Sequence, residues 1–321
     1  MGNKWMINAA LRSGMGRVRH NNEDAYYFNG TFLSLDSMDI ESKEKTSVPL
    51  DGTLFAVCDG IGGQNNGELA SYNAVSRMND LQNQLRGRDF NTVIQNWVKR
   101  TNIGVRQASS EGGCTLALLY FQANALRIAH IGDSRIYRFH EGVLTQLTQD
   151  HSKVQMLVSA GVLSPQEAKT HPQRHVITRY LGMNSDMVAC EATIGRPLPL
   201  INGDKYIICS DGVSDMLDDI EIQDYVEKTP DIEQCAETIY QAALNAGGRD
   251  NTTIILMEIE GDTASEPLPL AADEDDEPTL DDEITENEKQ THVIDMNIKS
   301  GFSRGANPEL KDLSIRIRVS C

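Results

Sequence analysis

Apolar positions along this chain fall into two periods, and the switches between them mark out the elements. Strand-like runs, alternating or continuously apolar, cover residues 5–11, 24–28, 53–58, 115–121, 125–131, 135–140, 206–210 and 251–258. Several neighbouring runs are joined by short turns, at 122–124 and at Glu141-Gly142, which favours antiparallel hairpins over crossover connections. Helical spacing recurs at Ala74, Val75, Met78, Leu81 and Leu85, at Ile94, Trp97, Val98, Val105 and Ala108, and at Ile232, Cys235, Ala236, Ile239, Tyr240 and Ala243. Thr229 and Pro230 read as the cap and first-turn proline of the last helix. Long amphipathic helices with antiparallel strands predict an α+β sandwich, sheets inside and helices outside. Ser164, Pro165 and Glu167 form a capping box with a first-turn proline, and Gly161 is placed to end a helix starting near Ser152. This helical hairpin interrupts the strands between Asp133 and Asp211, where a mobile lid beside a site is expected.

Three aspartates stand where apolar runs end or begin. Asp59 opens the loop Asp59-Gly60-Ile61-Gly62-Gly63 after the run 53–58, Asp211 follows 206–210, and Asp250 precedes 252–257. An aspartate before glycine is also the commonest turn pair, so each position alone is open to that reading. Carboxylates converging at rigid strand ends would repel one another without a cation between them, and oxygen donors suit Mg²⁺ or Mn²⁺. The glycines allow close backbone approach and can offer a carbonyl as a further ligand.

Other chemistries fail on the same loop. Gly62 and Gly67 have P-loop spacing, but Glu68 and Leu69 stand where a lysine and a hydroxyl residue are needed. A dinucleotide fingerprint needs glycine at Asn65, and Asp59 would repel a pyrophosphate. No Gly-x-Ser-x-Gly elbow is present, which leaves a metal-activated water as the simplest attacking group.

Composition then narrows the setting. With 321 residues, 40% of them hydrophobic, the chain can bury a large core. Its six cysteines are scattered, with no Cys-x-x-Cys pair, and several lie in apolar runs, arguing against a zinc site or a disulfide framework. No stretch is apolar enough to span a membrane and the N-terminus lacks the apolar core of a signal peptide, so a cytoplasmic location is expected. The net charge of -18 is uneven: residues 262–288 hold 12 acidic and no basic side chains, whereas 289–321 hold 3 acidic and 6 basic. The first of these segments reads as an acidic disordered linker, which ends the folded domain near Glu260 and sets 1–261 apart from 262–288 and 289–321. Such acidity argues against nucleic-acid binding.

The ordered motifs resemble those of the metal-dependent protein phosphatases of type 2C, over about 8–258. Gly16 to Asp24, including Arg19 and Glu23, is similar to the family's opening motif, Asp59 to Gly63 to its first metal motif, and Gly67 to Ser71 to the helix start that follows. Gly113-Cys114-Thr115, Ile131 to Tyr137, Leu147 to Ser152 and His171 to Gly182 resemble the next elements, the last two bounding a flap at about 150–185. Cys209 to Gly212 and Gly248 to Thr253 are similar to the last two metal motifs. The resemblance implies a four-layer α-β-β-α sandwich of two antiparallel sheets flanked by helices, with a small helical flap. It implies hydrolysis of phosphoserine and phosphothreonine in proteins at a binuclear Mn²⁺ or Mg²⁺ centre, opposing a Ser/Thr kinase. Asp59 would bridge both ions, the Gly60 carbonyl would complete one shell, and Asp211 and Asp250 would hold the other ion. Glu23 and Asp24 would bind or orient metal waters, and Asp133 with Asp211 would hold a third, weaker ion. Arg19 is the expected phosphate contact, since a guanidinium offers two parallel donors.

Two departures from the family pattern matter. Animal members place a histidine, a donor to the leaving alkoxide, where this chain has Ile61; bacterial members usually have an apolar residue there. Cys114 replaces a threonine, with consequences expected for packing. His151 and His175 in the flap are candidates for acids, but structural turn roles are favoured. In the tail, Leu313, Ile315, Ile317 and Val319 alternate with Ser314, Arg316 and Arg318, a pattern for a docking strand over 313–319 and hence for a tail-binding partner. Thr279 has an aspartate three residues on, resembling the phosphothreonine sites read by forkhead-associated domains, with an unmodified linker threonine as the alternative. The competing function is a catalytically silent phosphatase-fold binding module. A phosphodiesterase or nuclease would need basic channels that this chain lacks.

Overall fold

A computed structural model of the chain describes residues 5–62, 66–110, 112–122, 125–184 and 190–261. The acidic linker, Thr279 and the 313–319 pattern lie outside the described residues. A six-stranded antiparallel sheet runs in the order β10 (Val143–Gln146), β9 (Arg135–His140), β12 (Lys205–Cys209), β13 (Thr252–Glu260), β1 (Met6–Gly14) and β3 (Ser42–Pro49). A five-stranded sheet has the order β11 (Thr193–Ile194), β8 (Ala125–Ile131), β7 (Leu116–Gln122), β4 (Leu54–Cys58) and β2 (Ala25–Phe28). A two-residue ladder joins β5 (Gly60–Ile61) to β6 (Gly113–Cys114).

Strand alternation sorts side chains into three buried layers, which is the physical content of the predicted sandwich. Ile7, Ala9, Leu11, Phe55, Val57, Leu119, Phe121, Ile208 and Met257 meet between the sheets. Leu54, Ala56, Leu116 and Leu118 face the other way, onto α1 (Asn66–Val75), α2 (Met78–Leu85) and α3 (Phe90–Ser109). Ala10, Ile207, Ile254 and Leu256 face α7 (Asp219–Lys228) and α8 (Ile232–Asn245). Cys58, Cys114, Cys190, Cys209 and Cys235 are free and buried, as small hydrophobes in these layers.

Four sequence expectations change. The single helix expected over 74–85 is two, because Ser76 bonds its hydroxyl back to Asn73 O at 3.1 Å and Arg77 N to Ala74 O, tightening the turn until it breaks. Helix α8 is capped by Asp231, which accepts from Gln234 N at 2.7 Å, and Thr229 instead ends α7. Strand β3 is absent from the predicted set because its residues are mostly exposed and polar; it is an edge strand whose Lys43 and Lys45 reach Glu233 on α8 at 3.1 and 2.9 Å. Helix α7 is also absent from the predicted set, although Asp218 and Glu221 make a capping box. The expected hairpin in 150–185 is present as α4 (Lys153–Ser159) and α5 (Pro165–Thr170), with Ser152 and Ser164 as caps and Gly161 at φ +69°.

Candidate metal centre

The carboxylates gather where the two sheets end together. Asp59 follows β4, and its amide and carbonyl are both held by Thr115, the N–H donating to Oγ1 at 2.9 Å and the carbonyl accepting Thr115 N at 2.8 Å. Asp24 precedes β2 and is 2% exposed; its Oδ2 accepts from Ser210 Oγ at 2.7 Å. Asp211 follows β12 and starts α6 (Asp211–Ser214). Asp250 precedes β13, and Asn251 beside it ties that strand to the opening motif. The Asn251 side chain accepts from Glu23 N at 2.8 Å and donates to Asn21 O and Met15 O at 2.8 and 3.1 Å.

Glycines make the approach possible at two points. A Cβ on Gly60 would lie 2.5 Å from Gly67 O and 2.6 Å from Glu23 O, and one on Gly212 would lie 1.9 Å from Asn251 O. Gly60 N also donates to Glu23 O at 3.1 Å, so the metal-motif loop and the opening motif are in backbone contact.

Electrostatics identify what this spot lacks. Burial first, then the charges of Asp211, Asp24, Asp133 and Asp250, push the Asp59 carboxyl well above the usual carboxylate range. Asp211 is raised in the same way, by burial and then by Asp133, Asp250, Asp215 and Asp24. Asp24 rises to about 7, mainly by burial against the lowering effect of its Ser210 and Thr253 bonds, and Asp133 to about 7 by burial and Asp150. Glu23 is raised by burial despite Asn21 and Arg19. Asp24 Oδ1 and Asp133 Oδ1 are buried without a hydrogen-bond partner. Clustered carboxylates with orphaned oxygens fit a hard divalent cation, which would supply the missing charge and ligation.

Arg19, Glu23, Asp24, Asp59, Gly60, Asp133, Asp211 and Asp250 lie together at these strand ends, and further residues join them. Arg19 donates from Nη2 to Asp250 Oδ2 at 2.6 Å, which fixes a half-exposed guanidinium beside the cluster. Asp133 lies in the β8–β9 turn, next to Arg135, whose guanidinium forks onto Asp150 with bonds of 2.7 to 3.1 Å. Asp215 was not foreseen, although it stands one helical turn beyond Asp211, a spacing that places both on one face. Among the described residues, His175, Asp211 and Asp215 offer donor atoms all within 4.8 Å of one another, and His175 Nδ1 lies 3.2 Å from Asp215 Oδ2. His175 therefore sits in a turn, as expected, and also links the flap to α6. Ser210, Thr115 and Asn251 were also missed as supporting residues; their motif positions gave the only signal.

Comparison with known proteins agrees with this architecture. The family model for protein phosphatase 2C matches residues 43–246. The chain is 31% identical over 285 residues to the serine/threonine protein phosphatase PstP of Mycobacterium tuberculosis, covering 86% of this chain and 50% of the relative. It is 33% identical over 220 residues to the protein phosphatase PhpP of Streptococcus pneumoniae, covering 66% of this chain and 88% of that one. The crystal structure of the PstP catalytic domain in complex with two manganese ions superposes with a TM-score of 0.64 at 30% identity, covering 80% of this chain and 99% of that one. The chain belongs to the protein phosphatase 2C family. It spans half the length of the M. tuberculosis relative.

Proposed function

We propose that this chain hydrolyses phosphoserine and phosphothreonine in proteins with Mn²⁺ or Mg²⁺ held at the strand-end carboxylates. The observation that carries the reading is the convergence of Asp24, Asp59, Asp133, Asp211 and Asp250 on one buried spot with orphaned oxygens. The names of the relatives and the two manganese ions in the PstP structure support it. In this reading Asp59, Asp211, Asp250 and the Gly60 carbonyl would hold the two ions. Glu23 and Asp24 would bind or orient metal waters, and Asp133 with Asp211, and Asp215 beside them, would hold a third, weaker ion. When bound, the two ions supply Lewis acidity that lowers the pKa of a water and offsets charge on the phosphoryl oxygens.

The chain's own groups supply the rest. Arg19, anchored through Nη2 on Asp250, orients the phosphate with its remaining guanidinium edge. Ile61 has no proton to give, so a water or a different group would protonate the leaving alkoxide. Phosphorylated proteins are the substrates, an opposing Ser/Thr kinase makes them, and the setting is cytoplasmic; no helix among the described residues is long and apolar enough to cross a membrane.

The test is Mn²⁺-dependent release of phosphate from a phosphothreonine peptide by the full chain and by Asp211→Ala. A loss of about 1000-fold or more is expected in the variant. Undiminished activity in Asp211→Ala would sink the site assignment, and no metal-dependent turnover in the wild type would favour the silent binding module.

A further inference from the structure

The two ends of the flap meet at one histidine. Thr178 N donates to His151 O at 2.7 Å, and the Thr178 hydroxyl donates to the same carbonyl at 3.0 Å. His151 N in turn donates to Gly132 O at 2.8 Å, in the turn between β8 and β9. The imidazole closes this link from the other side, since Gly132 N donates to His151 Nδ1 at 3.0 Å. An Nδ1 that accepts carries no proton, so the ring proton sits on Nε2, 2.9 Å from Thr193 Oγ1. Arg179 Nη1, 3.4 Å from Nε2, and the His130 ring, stacked at 4.7 Å, both disfavour a charged ring. Burial, His130 and Arg179 together push His151 down to about 3. Both ring nitrogens are thus engaged, which leaves the imidazole without a role as a free acid.

What His151 holds leads directly to the carboxylates. Gly132 has φ +99°, and a Cβ there would lie 2.6 Å from Thr115 Cγ2, so the turn sits tightly on Thr115. Ser134, two residues on, shares a 2.7 Å hydroxyl bond with Thr115 Oγ1, and that oxygen accepts from Asp59 N. Between Gly132 and Ser134 stands Asp133, with its orphaned Oδ1. An unbroken chain of bonds therefore runs from Thr178 at the flap exit through His151, the Gly132–Asp133–Ser134 turn and Thr115 to Asp59.

We propose that His151 is a positioning residue of the carboxylate cluster: its neutral, Nε2-protonated ring joins the seated base of the flap to the turn that aims Asp133. The ring acts through Gly132 and Thr115, without touching substrate. The proposal rests on the reading of Asp133 and Asp59 as cation ligands, and its first test is independent of that reading.

Amide hydrogen exchange on the full, ligand-free chain is measured for wild type, His151→Ala and His151→Asn. An asparagine oxygen can accept from Gly132 N where alanine cannot. His151→Ala is expected to exchange the Gly132 and Asp59 amides about 10-fold faster, and His151→Asn to stay within about 3-fold of wild type. Calorimetric Mn²⁺ titration should show the weakest site about 10-fold weaker in His151→Ala and nearly restored in His151→Asn. Where the alanine variant fails to fold, ¹⁵N NMR of the wild-type ring decides: an unprotonated Nδ1 and protonated Nε2 from pH 5 to 8 support the proposal, and a protonated Nδ1 overturns it. Unchanged exchange in a folded His151→Ala also overturns it. Absence of Mn²⁺ binding by the wild type would bring down the cation reading alone, since the exchange result stands without metal.

Discussion

The carboxylate cluster and the flap beside it are built by opposite rules. In the cluster, backbone meets backbone: Cβ atoms at Gly16, Gly60 and Gly212 would fall 2.2, 2.5 and 1.9 Å from carbonyl oxygens of Asp250, Gly67 and Asn251. In the flap, α4 buries Val154 alone, α5 buries nothing, and Met156 and Val162 are 61% and 66% exposed. The base of the flap is joined to the core through Asp150, on which Arg135 forks, through His151 and through the Cys114–Leu181 backbone bridge, whereas contacts of His175 with Asp215 and of Lys169 with Asp218 tie its surface. The strand ends that carry the carboxylates are thus fixed by close backbone packing, while the flap's own helices belong to the low-stability end of the molecule.

The sharpest way to break this contrast is Gly212→Ala. The added Cβ has no room beside Asn251 O, so we expect destabilisation of about 3 kcal/mol in thermal melts and loss of about 100-fold or more of Mn²⁺-dependent activity. A stable, active variant would show that the cluster yields as the flap does. Next in size is the pH response of the metal-free protein. Asp24 and Asp133 have folded pKa values raised to about 7, above their unfolded values, so the stability they contribute is fully present below pH 4 and is lost as pH rises through 7. Chelator-treated protein should therefore melt at least about 5 °C lower at pH 8 than at pH 5, and added Mn²⁺ should remove the difference. A melting temperature that rises over that range without metal would contradict the electrostatic account.

Smaller effects belong to the flap. Ser164→Ala removes the capping box of α5, and amides of that helix should exchange about fivefold faster, a local cost of about 1 kcal/mol, with the global melt moving by less than about 2 °C. Lys169→Ala should cost no more than about 0.5 kcal/mol, because both partners of its ion pair are mostly exposed. A larger loss in either case would mean that the flap is coupled to the core by more than its base.

The sequence made legible whatever was written in local pattern. The continuous apolar runs of residues 53–58 and 206–210 and their closing aspartates located strand ends and candidate ligands together, because a strand buried on both faces must be apolar throughout and its tip is the first place a carboxylate fits. The flap was equally plain, since capping boxes and a positive-φ glycine are local chemistry. Strand β3 was hidden because an edge strand with one neighbour has little apolar demand, so Ser42 to Pro49 carries no period. The break at Ser76 and Arg77 was hidden because both helices bury the same stripe. Asp215 and the Thr115–Asp59 bonds depend on pairings 4 and 56 residues apart, the second of which no local window contains.

Asn251 ties the start of β13 to the opening motif through two donated bonds and one accepted. Replacement of that single amide by a carboxylate, as in Asn251→Asp, would set a negative oxygen against the Met15 and Asn21 carbonyls. It would also add a sixth acid to a cluster already short of positive charge. The position of the opening motif is therefore written into the identity of one amide, and a carboxylate at 251 would loosen that motif while leaving the layered core in place.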